Sequence, residues 1–257
     1  MGVVNITPDS FSDGGAFLAP EAAIAQARRL VDEGAAIIDI GAESSRPGAQ
    51  SVSEQEECTR ILPVLEAIRG LAVPISVDTR RTAVMRAALA AGASMINDID
   101  ALAAPGALET VAAADCGVCL MHKKGDPATM QADPRYDDVV REVSGFLGAR
   151  MAAAQAAGIA RDRIAIDPGF GFGKTVAHNL QLLRNLASIA ALGAPVLAGL
   201  SRKSTLGRIT GRPAGERMVA SVTAALLAAQ HGATILRVHD VGATSDALAV
   251  WRAVEAG

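Results

Sequence analysis

Short apolar runs and amphipathic, alanine-rich segments alternate along the whole chain. Each apolar run has the length of a strand and leads into a polar or glycine-bearing loop. The pattern predicts strands at residues 2–6, 36–40, 74–77, 95–97, 118–121, 164–166, 195–198 and 234–238. It also predicts helices, for instance at residues 21–33, 81–91, 137–157 and 215–231. Several helices are followed by a glycine suited to the position after a helix end, namely Gly34, Gly92 and Gly232.

The repeated order of strand and helix indicates the fold class. An α/β chain in which the two alternate eight times is typical of a (β/α)8 TIM barrel. The 257 residues are enough for one such barrel, and no Ser/Gly/Pro-rich linker marks a boundary. We therefore expect a single barrel domain over residues 1–257. A doubly wound open sheet is the alternative fold.

Charge and composition exclude several classes of protein. The net charge is -3 with both signs interspersed, so no nucleic-acid partner is expected. No segment has the roughly 18 uninterrupted apolar residues of a membrane span, and the N-terminus lacks a signal-peptide pattern. These features predict a soluble, cytoplasmic protein without a membrane partner. Of the three cysteines, Cys58, Cys116 and Cys119, the last lies in an apolar run, which favours a buried hydrophobe over a redox or metal role.

Polar residues follow nearly every predicted strand. They are Asn5, Asp39 with Glu43, Asp78, Asn97 with Asp98, His122, Asp167, the run Ser201-Arg-Lys203, and Arg237 with His239. Because barrel active sites form at the carboxyl ends of the strands, we expect these residues on one rim. Each one alone has a structural explanation as a loop cap, but the set favours a ligand site.

The chemistry of this rim predicts a site with two parts. Carboxylates, an amide and an ammonium together suit a planar heterocycle with donor and acceptor edges, and they come from Asp78, Asn97, Asp167 and Lys203. Arg46, Arg237 and His239, with the amides of glycine-rich loops, suit an anion such as phosphate or carboxylate.

The stretch after Asp167 offers a competing motif. Gly173-Lys174-Thr175 matches the end of the phosphate-binding sequence Gly-x4-Gly-Lys-Ser/Thr, but Pro168 occupies the position of its first glycine. We therefore expect no nucleoside triphosphate site here. Asp167 ends a core strand, where a carboxylate is costly to bury unless it is paired, so a ligand contact is favoured over a cap.

Seven motifs follow one another along the chain. They are Gly2-Val-Val-Asn-Ile-Thr-Pro-Asp-Ser-Phe-Ser-Asp-Gly-Gly15, Asp39-Ile-Gly-Ala-Glu-Ser-Ser-Arg-Pro-Gly-Ala49, Ile75-Ser-Val-Asp-Thr79, Ile96-Asn-Asp98, Asp167-Pro-Gly-Phe-Gly-Phe-Gly-Lys174, Ser201-Arg-Lys-Ser204 and Arg237-Val-His239. Together they resemble the motifs of the bacterial dihydropteroate synthase family, and the resemblance runs from the first residue to near the last.

The resemblance implies a transferase of folate biosynthesis. Its reaction condenses 6-hydroxymethyl-7,8-dihydropterin diphosphate with 4-aminobenzoate to give 7,8-dihydropteroate and diphosphate. The implied pterin pocket consists of Asp78, Asn97, Asp167, Lys203 and Arg237. Asn5, Arg237 and His239 are implied for the diphosphate, with Mg²⁺ held partly by Asn5. Those implied for 4-aminobenzoate are Phe11, Ser45, Arg46, Pro47, Phe172, Lys203 and Ser204. A homodimer is also implied.

The loops at residues 7–15 and 43–48 are expected to close over the second substrate. In that case Phe11 and Arg46 become ordered only when diphosphate and arylamine are bound. The chain starts at its first strand, without the short upstream segment often present in the family, so we expect either a less covered bottom of the barrel or a trimmed N-terminus.

The chain departs from the family pattern at two positions of the expected site. Lys123 stands where the family commonly has methionine, so either it points to solvent or the pocket is altered. Ser45 stands where threonine is usual. Two alternative functions therefore stay open. One is a non-catalytic pterin-binding relative, which Lys123 and Lys124 motivate. The other is a pterin-binding methyltransferase, against which residues 7–11 and 201–204 argue.

Overall fold

The structure is a computed structural model that describes residues 1–6, 19–43, 52–126 and 129–256. Eight parallel strands alternate with helices in these ranges. The strands are β1 (Gly2–Asn5), β2 (Ile38–Gly41), β3 (Ile75–Asp78), β4 (Met95–Asp98), β5 (Gly117–Met121), β6 (Ile164–Asp167), β7 (Leu197–Ala198) and β8 (Ile235–Leu236). Each lies within one residue or two of its predicted position.

The helices surround the strands, and in the described residues two connections, β6 to β7 and β7 to β8, contain two α-helices each. They are α1 (Ala19–Asp32), α2 (Glu54–Ile68), α3 (Thr82–Ala90), α4 (Ala107–Ala112), α5 (Val139–Ala156), α6 (Val176–Arg184), α7 (Leu186–Ala190), α8 (Ser204–Thr210), α9 (Met218–Gln230) and α10 (Val241–Ala256). Among the helices of the described residues, none is both long and apolar enough to cross a bilayer.

The strands close into a ring. β1 to β6 pair in sequence order, and β7 pairs with β8. Two further parallel bridges, Gly2 with Val238 and Ile166 with Val196, join β8 to β1 and β6 to β7. The ring confirms the (β/α)8 barrel, because a doubly wound sheet would have kept two open edges.

Local signals set the helix ends. Asp138 accepts hydrogen bonds from the N–H groups of Val140 and Arg141, both at 3.0 Å, so α5 begins there. The glycines expected after the helix ends have positive φ angles, as that position requires, at Gly34 (96°), Gly92 (103°) and Gly232 (103°). The sequence signals therefore place these boundaries correctly.

The barrel interior is arranged in layers. Met95, Cys119, Ala165 and Leu197 form an apolar cluster separate from the core between strands and helices, with Ile235 packed against it. We call this cluster the barrel floor. Side chains alternate across a strand, so the residues two positions further along point to the same interior. That next layer includes the polar residues Asn97, Asp167 and Arg237, and it begins the candidate site.

The loop after β6, residues 168–174, packs tightly on the loop after β5. Gly169 has a φ of 68°, and a Cβ at this position would lie 1.8 Å from the carbonyl oxygen of His122. Only glycine therefore fits without displacing one loop from the other.

We predict that Gly169→Ala lowers the free energy of unfolding by about 3 kcal/mol or more, through left-handed strain and overpacking together. Urea denaturation measures this loss. Gly158→Ala is the matched control, because Gly158 also has a positive φ of 97° but a methyl group at that position would have nothing within 4 Å. Equal losses in the two variants would contradict the contact with His122.

Candidate active site

The layer above the barrel floor carries the polar groups of the strand ends. Asn97, Asp167 and Arg237 each follow a floor residue by two positions, and Asp39 and Asp78 come from the neighbouring strands β2 and β3. The strand pattern thus brings five of the predicted rim positions to the same end of the barrel.

Arg237 is at the centre of this layer. Its Nε donates to Asp39 Oδ2 at 2.6 Å, and its Nη2 donates to Asp78 Oδ2 at 2.8 Å. Asn97 Nδ2 donates to the same Asp39 oxygen at 3.3 Å. Asp39 is fully buried, whereas the Arg237 side chain is 20% exposed. The arginine is therefore fixed from below and retains a face toward the mouth of the barrel.

Lys203 approaches the layer from the other side. Its Nζ donates to the carbonyl oxygen of Phe170 and lies 4.6 Å from the centroid of the Phe172 ring. A Cβ at position 199 would be 3.8 Å from Lys203 Nζ and 3.9 Å from Arg237 Cβ. Gly199 thus keeps the space between the two cations open.

Burial dominates the electrostatics of the site. It raises the pKa of Asp78 to about 7, although Arg237 acts in the opposite direction. It also raises the pKa of Asp167, against the effect of Lys203. It lowers the pKa of Lys203 to about 8, against the effect of Asp167. Shifts of this kind are typical of a desolvated functional site, where hydrogen bonds to a ligand are strong.

An apolar wall stands beside the polar layer. Ile99, Met121, Met130 and Phe172 form a small buried cluster of their own. The site therefore combines an apolar surface with polar groups at its base, a combination that suits a flat ring with hydrogen-bonding edges.

The predicted anion-binding residues lie at neighbouring strand ends. Asn5 ends β1, and its side chain is partly buried. His239 follows β8, and its Nδ1 lies 3.0 Å from Ser201 Oγ. Ser204 is exposed and begins α8 directly after Lys203. The other predicted residues, Phe11, Ser45, Arg46 and Pro47, lie outside the described residues, as do most of the loops at 7–15 and 43–48.

Two residues of the predicted rim have structural roles instead. The carboxylate of Asp98 accepts N–H groups of Asp100 at 2.7 Å and Leu102 at 2.8 Å, so it caps its own loop. His122 lies 3.0 Å from Lys174 Nζ through its Nδ1, beneath the β6 loop. Both residues have partners within the protein, as the alternative explanation of a loop cap or a structural hydrogen bond expects.

Glu43 also has structural partners. Its carboxylate pairs with Arg81 at 2.5 Å and with Arg80 at 3.3 Å. Among the described residues, no group of His, Cys, Asp and Glu side chains could hold a metal ion by itself. A metal at this rim would therefore be coordinated by few protein groups, such as the amide oxygen of Asn5. Oxygen atoms of a bound substrate and of water would complete its coordination.

Two residues shape the site in ways that the sequence pattern did not predict. Asp39 is expected on the rim but without a specific role, yet it binds both Arg237 and Asn97. Lys174 belongs to the incomplete phosphate-binding motif, yet it is 3% exposed and bonded to the β6 loop. The sequence does contain one signal for the role of Asp39: an acidic residue within an apolar strand needs a buried partner.

Lys123 is neither free in solvent nor directed into the polar layer. Its Nζ lies 2.5 Å from Asp100 Oδ1, and its side chain is 19% exposed. The departure from the family pattern therefore introduces an ion pair between the loops after β4 and β5.

A (β/α)8 barrel with this layered mouth defines an enzyme for a flat, polar ring substrate. Residues 1–239 match the family described as pterin binding enzyme, and the chain belongs to that family. The class inferred from the site geometry and the family thus agree.

The relatives include several dihydropteroate synthases. The one from Haemophilus influenzae is 52% identical over 254 residues, which cover 98% of this chain and 92% of that protein. A structure of Xanthomonas albilineans dihydropteroate synthase with 4-aminobenzoic acid has a TM-score of 0.95 and 56% identity, and covers 100% of this chain and 93% of that one. Another, with 7,8-dihydropteroate, has a TM-score of 0.92, 53% identity and the same coverage. The resemblance to bacterial dihydropteroate synthases is thereby confirmed.

We predict that Lys123→Met changes pterin affinity less than about fivefold, because a partly exposed ion pair contributes about 1 kcal/mol or less. Isothermal titration with a pterin ligand measures the affinity. Asp100→Asn is the matched control, since it removes the same ion pair from the other side. A tenfold or larger change in Lys123→Met alone would show that Lys123 contacts the ligand.

Proposed function

We propose that this chain is a dihydropteroate synthase, which condenses 6-hydroxymethyl-7,8-dihydropterin diphosphate with 4-aminobenzoate to form 7,8-dihydropteroate and diphosphate. One observation carries the proposal above all. Arg237, bound to Asp39 and Asp78, lies at the base of a barrel mouth in a chain 56% identical to a dihydropteroate synthase whose structure contains 4-aminobenzoic acid. The proposal places the enzyme in folate biosynthesis.

In this proposal the pterin ring binds to the polar layer. Asp167 and Asn97 recognise its edge, because a carboxylate accepts two N–H donors of an aminopyrimidine in parallel. Asp78 and Lys203 complete the pocket, and Arg237 covers one face of the ring. Its partial exposure and its two carboxylate partners support this role.

The diphosphate group then lies toward Asn5, Arg237 and His239. Asn5 is the residue that would hold Mg²⁺, a cation that usually keeps several waters and substrate phosphates as ligands. When bound, Mg²⁺ would stabilise the negative charge of the departing diphosphate. A single amide oxygen at the end of β1 is compatible with such a site.

The second substrate binds above the pterin. Phe172 and Lys203 are in contact in the structure, and Ser204 follows Lys203 at the start of α8. We assign them to 4-aminobenzoate, together with Phe11, Ser45, Arg46 and Pro47, which the structure does not describe. The carboxylate of the substrate lies near the start of α8, where free N–H groups favour an anion.

The reaction requires charge stabilisation more than a protein nucleophile. The carbon–oxygen bond to diphosphate breaks, and the bonding electrons leave with the diphosphate. The remaining cationic methylene group is conjugated with the pterin. The buried carboxylates of Asp78 and Asp167 stabilise its positive charge. The arylamine nitrogen then attacks the methylene carbon and loses a proton. Exclusion of water from the mouth prevents hydrolysis of the cation.

The non-catalytic alternative was motivated by Lys123 and Lys124. Lys123 pairs with Asp100, and Lys124 Nζ binds Glu142 at 3.0 Å. Both charges therefore have partners away from the polar layer, which supports an active enzyme. Residues 201–204 and 7–11 argue against the methyltransferase alternative, because that reaction has no diphosphate or aminobenzoate to bind.

We also propose that residues 1–257 form one pterin-binding barrel domain that works in the cytoplasm as a homodimer. The unpaired thiols of Cys58, Cys116 and Cys119 suit a reducing compartment. Apolar side chains exposed on α9 and α10 suit a symmetric contact, among them Val219 (72%), Val250 (67%) and Val254 (72%).

The function is tested by diphosphate release from dihydropterin diphosphate, assayed with and without 4-aminobenzoate and Mg²⁺. We expect release to require the arylamine, to yield dihydropteroate in equal amount, and to stop when EDTA removes the metal. Readdition of Mg²⁺ is the control for EDTA. Tight pterin binding without turnover would instead support a non-catalytic relative, and absence of pterin binding would refute the proposed site.

The dimer is tested by sedimentation equilibrium. We expect twice the mass of the chain for the wild type, and a shift to monomer in Val219→Glu combined with Val254→Glu, because two buried charges oppose an apolar contact. Glu109→Lys on α4 is a control for a surface change on another helix. A monomeric wild type at micromolar concentration would refute the dimer.

A further inference from the structure

Lys174 is the last residue of the β6 loop and is almost completely buried, at 3% exposure. Its Nζ lies 2.9 Å from the carbonyl oxygen of Gly169 and 3.0 Å from that of Phe172. It also lies 3.0 Å from Nδ1 of His122 and 3.4 Å from the carbonyl oxygen of the same residue. The lysine thus hydrogen-bonds to two carbonyl oxygens of its own loop and to one in the preceding β5 loop.

These contacts are all made with atoms of the protein itself. In a phosphate-binding loop the equivalent lysine points outward to phosphate oxygens, whereas here it turns inward to the backbone of its own loop. Burial lowers the pKa of His122 to about 3, so the ring is neutral. The atoms within hydrogen-bond distance of Lys174 Nζ are therefore neutral acceptors of the protein itself, and we assign this amino group no substrate contact.

The residues bound by Lys174 contact groups that the proposed function assigns to the substrates. The N–H of Gly169, whose carbonyl binds Lys174, donates to Asp167 Oδ1 at 2.6 Å. Phe172, whose carbonyl also binds Lys174, carries Lys203 Nζ against its ring. The Lys174 amino group is thus linked through Gly169 to Asp167, the proposed pterin carboxylate. It is linked through Phe172 to Lys203, at the proposed arylamine site.

The outer side of the same loop has a second attachment. The N–H of Gly171 donates to Asn179 Oδ1 at 2.8 Å, and Asn179 Nδ2 donates to Thr205 Oγ1 on α8 at 3.1 Å. The loop is therefore fixed from outside through α6 and α8, and from inside through Lys174.

We propose that Lys174 is a positioning residue of this enzyme: by binding the carbonyl oxygens of Gly169 and Phe172 it sets the relative positions of Asp167, Phe172 and Lys203. This inference rests on the proposed function, because it assigns those three groups to substrates. It assigns Lys174 no contact with a substrate and no proton transfer.

A matched control exists at the opposite end of the same strand. Arg163 precedes β6 and donates to the carbonyl oxygens of Cys116 at 2.7 Å, Val111 at 2.8 Å and Ala114 at 2.6 Å. It is a basic side chain that binds several carbonyl groups, as Lys174 does, but it lies at the amino end of the barrel strands. Loss of Arg163 therefore reports the cost of lost backbone contacts without a change in the site.

The test compares Lys174→Met with Arg163→Met in thermal stability, pterin affinity and steady-state kinetics for both substrates. We expect both variants to melt at lower temperature. Lys174→Met alone should raise the pterin Kd at least tenfold and lower kcat/KM for the arylamine by up to about 100-fold, the effect of a small misplacement in an active site. Arg163→Met should keep both values within about twofold of the wild type, since it leaves the mouth unchanged.

Lys174→Gln and Arg163→Gln provide the same comparison if Lys174→Met does not fold, because glutamine keeps two N–H donors. Equal kinetic effects in the two variants of a pair, with an active wild type, would overturn the inference and leave the proposed function intact. An inactive wild type would refute the proposed function and the inference with it.

Discussion

The binding of Arg237 by two carboxylates inside the barrel is the interaction on which the arrangement of the mouth depends. The arginine and Asp39 are 198 positions apart in the chain, and the ring closure between β8 and β1 brings them together. A fully buried carboxylate such as Asp39 requires this partner, because loss of one member of a buried pair costs about 3–5 kcal/mol. Asn97 then binds Asp39, and Asp78 binds Arg237.

The layering of the interior explains why so much of this mouth could be predicted from the sequence. A period of two along each strand separates the floor from the polar layer, as in Met95 and Asn97 or Ala165 and Asp167. Both the strands and the polar residues at their ends are local features of the chain. The barrel itself was predictable because eight repeats of strand and helix allow few closed arrangements.

The partners of individual polar residues could not be predicted in the same way. Asp98 and Asn97 are adjacent in sequence, yet one caps a loop and the other enters the polar layer. Alternation along β4 turns Asn97 into the barrel and Asp98 to the opposite face. The sequence does not signal the loop that meets Asp98 there: Ala101 and Leu102 have positive φ angles of 52° and 57°, and the N–H groups of Asp100 and Leu102 bind the Asp98 carboxylate. The ion pair between Lys123 and Asp100 likewise depends on how the loops after β5 and β4 lie relative to each other.

The close packing of the β6 loop has a consequence for inhibition and escape from it. At Gly169 any larger side chain would collide with the backbone of a neighbouring loop, and at Gly173 a Cβ would lie 2.1 Å from the carbonyl oxygen of Lys124. Backbone atoms cannot be exchanged by mutation, and these glycines leave little room for a substitution that moves them. A compound that draws its affinity from the main chain of this loop would therefore select for few tolerated resistance mutations.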